Sequence, residues 1–140
     1  MDATKQEALE DITLAVMNLV DAWGLQTQEV QELLGLSDKV RGRSLHKFRE
    51  GRATLPDEPH VLRRAKYLLR ISESLRTSFP RNPEMGGRWI RQPHRRFGRR
   101  SPLSLILGSG ESGYIAVLSE VDCTFSWDLT GSKAVSYRKG

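Results

Sequence analysis

Between Arg88 and Arg100 the chain sets six arginines (Arg88, Arg91, Arg95, Arg96, Arg99 and Arg100) among Trp89, His94 and Phe97. Guanidinium groups are planar, permanently charged donors, and the aromatic rings beside them offer stacking surface. That combination serves two kinds of chemistry. It can hold single-stranded nucleic acid, or it can form part of a protein interface, where Arg, Trp and Phe are enriched. An earlier basic block, Lys39, Arg41, Arg43, Lys47, Arg49 and Arg52, could likewise meet phosphate or an acidic protein. The formal net charge of +5 hides a strong asymmetry, because up to Asp38 the chain carries Asp2, Glu7, Glu10, Asp11, Asp21, Glu29, Glu32 and Asp38 against Lys5 alone.

Other chemistries find less support. Gly108-Ser-Gly110-Glu-Ser-Gly113 has the G-x-G-x-x-G spacing of a dinucleotide fingerprint, with Asp128 further on. The apolar run before it, however, opens with Ser101-Pro102, a helix-start signal, and nothing upstream reads as the rest of a parallel sheet. The glycines are expected to form a turn between two helices. Ser, His and Asp residues are scattered without a local catalytic motif, so no enzyme is expected. The single cysteine, Cys123, rules out an intramolecular disulfide, and the three histidines do not sit at metal-ligand spacing with it. No cofactor is expected. The N-terminus is acidic and amphipathic, not basic then apolar, and no apolar run approaches membrane-spanning length. A cytoplasmic protein with no membrane contact is the expectation.

The elements that position these residues follow from apolar periodicity. Leu9, Ile12, Val16, Leu19, Val20 and Trp23 mark one stripe of a helix from about Ala3 to Trp23, with Gly24 as its C-cap. Thr27 is the candidate N-cap of a short helix that ends at Gly35-Leu36-Ser37, and a basic helix follows. Short helix, glycine turn and basic helix are the pattern of a helix-turn-helix. The second helix is expected to start near Arg43 or Ser44, with Asp38 to Gly42 as a loop. If it enters a major groove, Arg41, Arg43 and Lys47 meet guanine edges or phosphates, Ser44 and His46 make shorter contacts, and Leu45 and Phe48 anchor the helix to the core. A purely structural or dimerising helix-turn-helix is the alternative; Gln31 stands where such motifs carry a small residue, and the gap from Gly35 to Phe48 is long.

Leu55-Pro56-Asp57-Glu58-Pro59 is the candidate domain boundary. Val61, Leu62, Ala65, Leu68, Leu69, Ser72, Leu75 and Phe79 form a further stripe from His60 to about Phe79. Met85 and Trp89, four apart, are expected to face the core. Pro93 should end their helix, leaving a loop over Phe97-Gly98, with His94 as an exposed loop residue or an interface contact. A short helix over Leu103 to Leu107 and a last one from about Glu111 to Asp122 complete an all-α reading. The residues after Cys123 alternate Phe125 and Trp127 with polar residues, fitting either a short extended piece or a frayed terminus.

The ordered set of a tryptophan helix, Pro93, Phe97-Gly98, Ser101-Pro102-Leu103 and a Gly-rich break resembles the C-terminal toxin-binding domain of the Xre/MbcA/ParS antitoxin family. The resemblance covers roughly residues 60 to 128. Phe48-Arg49-Glu50-Gly51 is similar to the aromatic-x-x-Gly ending of Xre-type helix-turn-helix motifs. The resemblance implies an Xre-like helix-turn-helix region over 1–55, a toxin-binding domain over 60–128 and a flexible tail over 129–140. It implies a partner toxin of the NAD-consuming RES type, bound directly through Trp89, Pro93, Phe97, Gly98, Pro102 and Leu103, with Trp127 and the tail blocking NAD access. It further implies a homodimer within a larger complex, and repression of its own operon through Arg41, Arg43, Ser44 and Lys47 on operator DNA. A stand-alone helix-turn-helix regulator is the alternative.

Overall fold

Apolar side chains at three- and four-residue steps, interrupted by glycine and proline, produce helices alone among the described residues of the computed structural model, which are 3–36, 42–82 and 84–122. They form α1 (Ala3–Ala22), α2 (Thr27–Leu34), α3 (Gly42–Arg49), α4 (Pro59–Ser78), α5 (Met85–Arg91), α6 (Pro102–Ser109) and α7 (Glu111–Val121). A single turn of 3-10 helix, Arg95–Phe97, lies between α5 and α6. The all-α expectation holds. Arg41, Trp127 and the 129–140 tail lie outside the described residues. The chain divides into two units between Leu69 and Arg70, a point inside α4.

In the first unit α3 packs on both α1 and α2. Val16, Met17, Val20, Val30, Leu33, Leu34, Leu45 and Phe48 are buried there. Leu45 and Phe48 anchor α3 as expected. Gly35 ends α2 in the left-handed conformation at φ 66°, and its N–H bonds to the Glu32 carbonyl at 3.1 Å. A Cβ at Gly35 would also stand 3.0 Å from Nε of Arg64 and 3.2 Å from the His60 ring, so both φ and space call for glycine. The start of α2 differs from expectation: Gln26, not Thr27, is the N-cap, and its N–H donates to Oε1 of Glu29 at 2.9 Å. Helix α3 begins at Gly42, slightly earlier than expected.

Two polar ties close this unit. Arg49 grips Asp21 with three bonds of 2.9 to 3.1 Å, joining the ends of α3 and α1. The buried Thr13 hydroxyl donates to the Leu9 carbonyl at 2.7 Å and accepts from the Leu55 N–H at 2.9 Å. Thr13 thereby fixes the segment entering the 55–59 stretch.

In the second unit α5 packs on α6, and α6 on α7. Ile71, Leu75, Ile90, Phe97, Leu103, Ile106, Tyr114, Val117 and Leu118 supply its core. Along α4 the buried stripe is Val61, Ala65, Leu68, Ile71 and Leu75, whereas Leu62, Leu69 and Ser72 are half-buried. Ile71, not Ser72, is thus the inward position. On α5 the buried residues are Gly86 and Ile90; Met85 and Trp89 are half-buried, which corrects their expected core position.

The Gly-rich break belongs to helix packing. Gly108 lies in α6, Gly110 sits between α6 and α7 at φ 60°, and Gly113 lies in α7. A Cβ at Gly113 would fall 2.4 Å from the Leu105 carbonyl oxygen and 2.8 Å from the Ile106 Cα. The missing side chain lets α7 touch the α6 backbone. No strand precedes the three glycines among the described residues, so the phosphate cradle of a dinucleotide fold is not formed.

Candidate partner-binding groove

The candidate site of the second unit is built by the connection from α5 to α6. Helix α5 stops at Arg91 because the following Gln92 turns to an extended conformation ahead of Pro93. His94 and Arg100 then meet across the loop, with the His94 N–H donating to the Arg100 carbonyl at 3.1 Å. Inside it, the N–H groups of Phe97 and Arg99 both donate to the His94 carbonyl at 3.0 Å. Gly98 and Arg99 both take the left-handed conformation, at φ 62° and 66°. Glycine adopts it freely; Arg99 adopts it under the hold of these hydrogen bonds. Ser101 then caps α6, its Oγ accepting from the Ser104 N–H at 3.1 Å with Pro102 in the first turn.

This frame brings three rings together. Trp89 and His94 have centroids 4.9 Å apart with planes tilted by 36°. Phe97 stands edge-on to both, at 6.1 Å from Trp89 and 6.0 Å from His94. Nε2 of His94 donates to the Trp89 carbonyl at 3.0 Å, which also requires the proton on that nitrogen. His94 is half-buried and tied inward, which departs from the exposed loop position and leaves the interface contact as the standing expectation. It is the site's main residue that periodicity missed; its only sequence signal is its place between two aromatics beside Pro93.

Against the rings lies a groove of about 500 Å³. The end of α4 contributes Leu75, Ser78 and the following Phe79; Trp89, His94 and Phe97 form another wall; Arg95, Arg96, Glu120 and Val121 complete it. Arg96 donates to Glu120 at 3.1 Å, while the exposed Arg95 guanidinium has no side-chain partner among the described residues. Nearby, Arg70 and Asp122 form an ion pair at 2.5 Å that ties α4 to the end of α7.

Of the residues expected at the toxin surface, Trp89 and Phe97 line the groove. Pro93 and Gly98 are exposed in the loop that carries them, and Pro102 and Leu103 are buried in α6 as support. Leu75, Phe79, Glu120 and Val121 were not singled out as site residues, because three lie on stripes or helix ends that read as packing. In the first unit Arg43 and Lys47 are exposed on α3 together with His46, and Ser44 is half-buried. No grouping of metal-ligating side chains occurs among the described residues. Nor is any helix among them long and apolar enough to cross a membrane.

An all-helical unit with a rim of arginines around an aromatic groove has the make-up of a small protein-binding module. Residues 74–123 match the family model of the antitoxin Xre/MbcA/ParS C-terminal toxin-binding domain. No curated protein and no solved structure matches the chain.

Proposed function

We propose that the chain is an antitoxin that neutralises a cognate toxin by direct binding through its second unit. The observation that carries this reading is the family match over 74–123, a stretch that holds most of the groove around Trp89, His94 and Phe97. The toxin in this reading is a RES-type consumer of NAD. The antitoxin acts by steric obstruction, with Trp127 and the tail reaching the toxin's NAD cleft, so it needs no cofactor of its own. It works as a homodimer within a larger complex. The exposed Arg43 and Lys47, together with Ser44 and with Arg41 from the preceding segment, hold operator DNA and repress the operon.

Co-expression with the neighbouring gene tests the reading. The tagged chain is expected to retain that gene product and to suppress its consumption of NAD. A chain that retains no partner and binds its promoter tightly on its own would instead be a stand-alone regulator.

A further inference from the structure

We infer that the groove between the end of α4 and the Trp89–Phe97 wall receives a toxin segment in which an apolar side chain stands beside a carboxylate. The inference rests on the antitoxin reading and specifies what the domain recognises.

The floor and the rim differ in chemistry. Leu75 and Phe97 are buried, and Phe79, Trp89 and Val121 are half-buried around the opening, so an entering side chain meets apolar surface. The charged groups, Arg95, Arg96 and Glu120, all belong to the rim. A small-metabolite site would fix its ligand with polar groups placed inside it. Here the His94 ring of the wall is committed to the Trp89 carbonyl. An apolar centre inside a polar rim is instead the anatomy of a protein interface.

The rim's charge selects the occupant. Arg95 is unpaired among the described residues, and Arg96 shares the groove's single carboxylate, Glu120. The Arg96 side chain is 70% exposed, so its bridge to Glu120 contributes little and opens readily to a competing carboxylate. Nucleic acid fits less well. The rings pack edge-on and tilted against each other instead of presenting free faces for bases.

The test measures affinity between the full chain and its purified toxin by titration calorimetry, using two variants that spare the core. Arg95→Glu reverses an exposed charge that has no side-chain partner among the described residues, and is expected to weaken binding about tenfold or more, mostly at low salt. Ser78→Trp fills the groove from an exposed position and is expected to weaken binding by a similar factor at any salt. Arg76→Glu, exposed and not among the residues that line the groove, is the control expected to leave affinity unchanged. Full affinity in both groove variants would overturn the inference while leaving the antitoxin reading intact. Absence of any toxin binding by the unaltered chain would overturn both. If removal of residues 123–140 strengthened binding and abolished the effect of Ser78→Trp, the groove would belong to the chain's own tail. Loss of promoter binding in Arg95→Glu with toxin affinity unchanged would assign the rim to DNA; each of these last two outcomes also overturns the inference.

Discussion

Nε2 of His94 lies 3.0 Å from the carbonyl oxygen of Trp89, and the two rings lie 4.9 Å apart, tilted by 36°, across the proline that separates their segments. One side chain therefore does two things: it gives a second, shorter hydrogen bond to a carbonyl at the end of α5 that otherwise receives the Gln92 N–H at 3.4 Å, and it backs the groove wall. His94→Ala is expected to destabilise the chain by about 1–3 kcal/mol, since it removes one hydrogen bond and two ring contacts. Thermal unfolding measures this. A midpoint unchanged within error would mean that the loop is held by its backbone bonds alone.

Two glycines of the 108–113 run, Gly108 and Gly113, separate cleanly by substitution. Gly113→Ala would drive a Cβ into the α6 backbone at Leu105 and Ile106, which neither helix can relieve without moving apart. A loss of about 1–3 kcal/mol or more is expected. Gly108→Ala meets only the far end of the Arg100 side chain, at 3.1 Å, and should be neutral or stabilise α6 by up to about 1 kcal/mol. Equal effects at the two positions, read from denaturant unfolding, would contradict the helix-contact role of Gly113.

Local rules made much of this architecture legible. Pro93 as a stop, Ser101-Pro102 as a start, Gly35 as a left-handed end and the α7 stripe each follow from backbone chemistry within a few residues. What escaped was decided by partners distant in sequence or by competition between neighbours. Thr27 is a good N-cap by type, yet Glu29 in the third turn position favours Gln26. Periodicity alone could not tell Ile71 from Ser72 on α4, or Ile90 from Trp89 on α5, because each pair is adjacent and the choice depends on which face meets a neighbour. The groove itself was only half legible: Trp89 and Phe97 announce themselves by type, but Phe79 and Glu120 reach it from segments far away in the chain.

Thr13 illustrates the same limit in the first unit. Within an amphipathic stripe a threonine reads as a marginal position, yet here its hydroxyl bridges the Leu9 carbonyl and the Leu55 N–H while 1% exposed. Thr13→Val keeps the shape and strands the Leu55 donor, so a loss of about 1–3 kcal/mol is expected. Thr13→Ser keeps the hydroxyl and should recover most of it. Urea titrations of the two variants compare them directly; equal losses would assign the role of Thr13 to its methyl group.

On α3, burial divides the helix into two faces. Leu45 at 0% and Phe48 at 4% exposure hold it to α1 and α2, while Arg43, His46 and Lys47 recur at three- and four-residue spacing on the opposite, exposed face. Neither Arg43 nor Lys47 has a side-chain partner among the described residues, so substituting them disturbs no internal bond. Arg43→Ala with Lys47→Ala should leave stability within about 0.5 kcal/mol. If α3 holds operator DNA through these groups, the double variant binds promoter more weakly, and the slope of log affinity against log salt falls by up to about 2. Toxin binding by the second unit should not change, which separates the two activities in one pair of substitutions. Promoter affinity and salt slope equal to those of the unaltered chain would remove α3 as the reading element and leave the helix-turn-helix a structural or dimerising device.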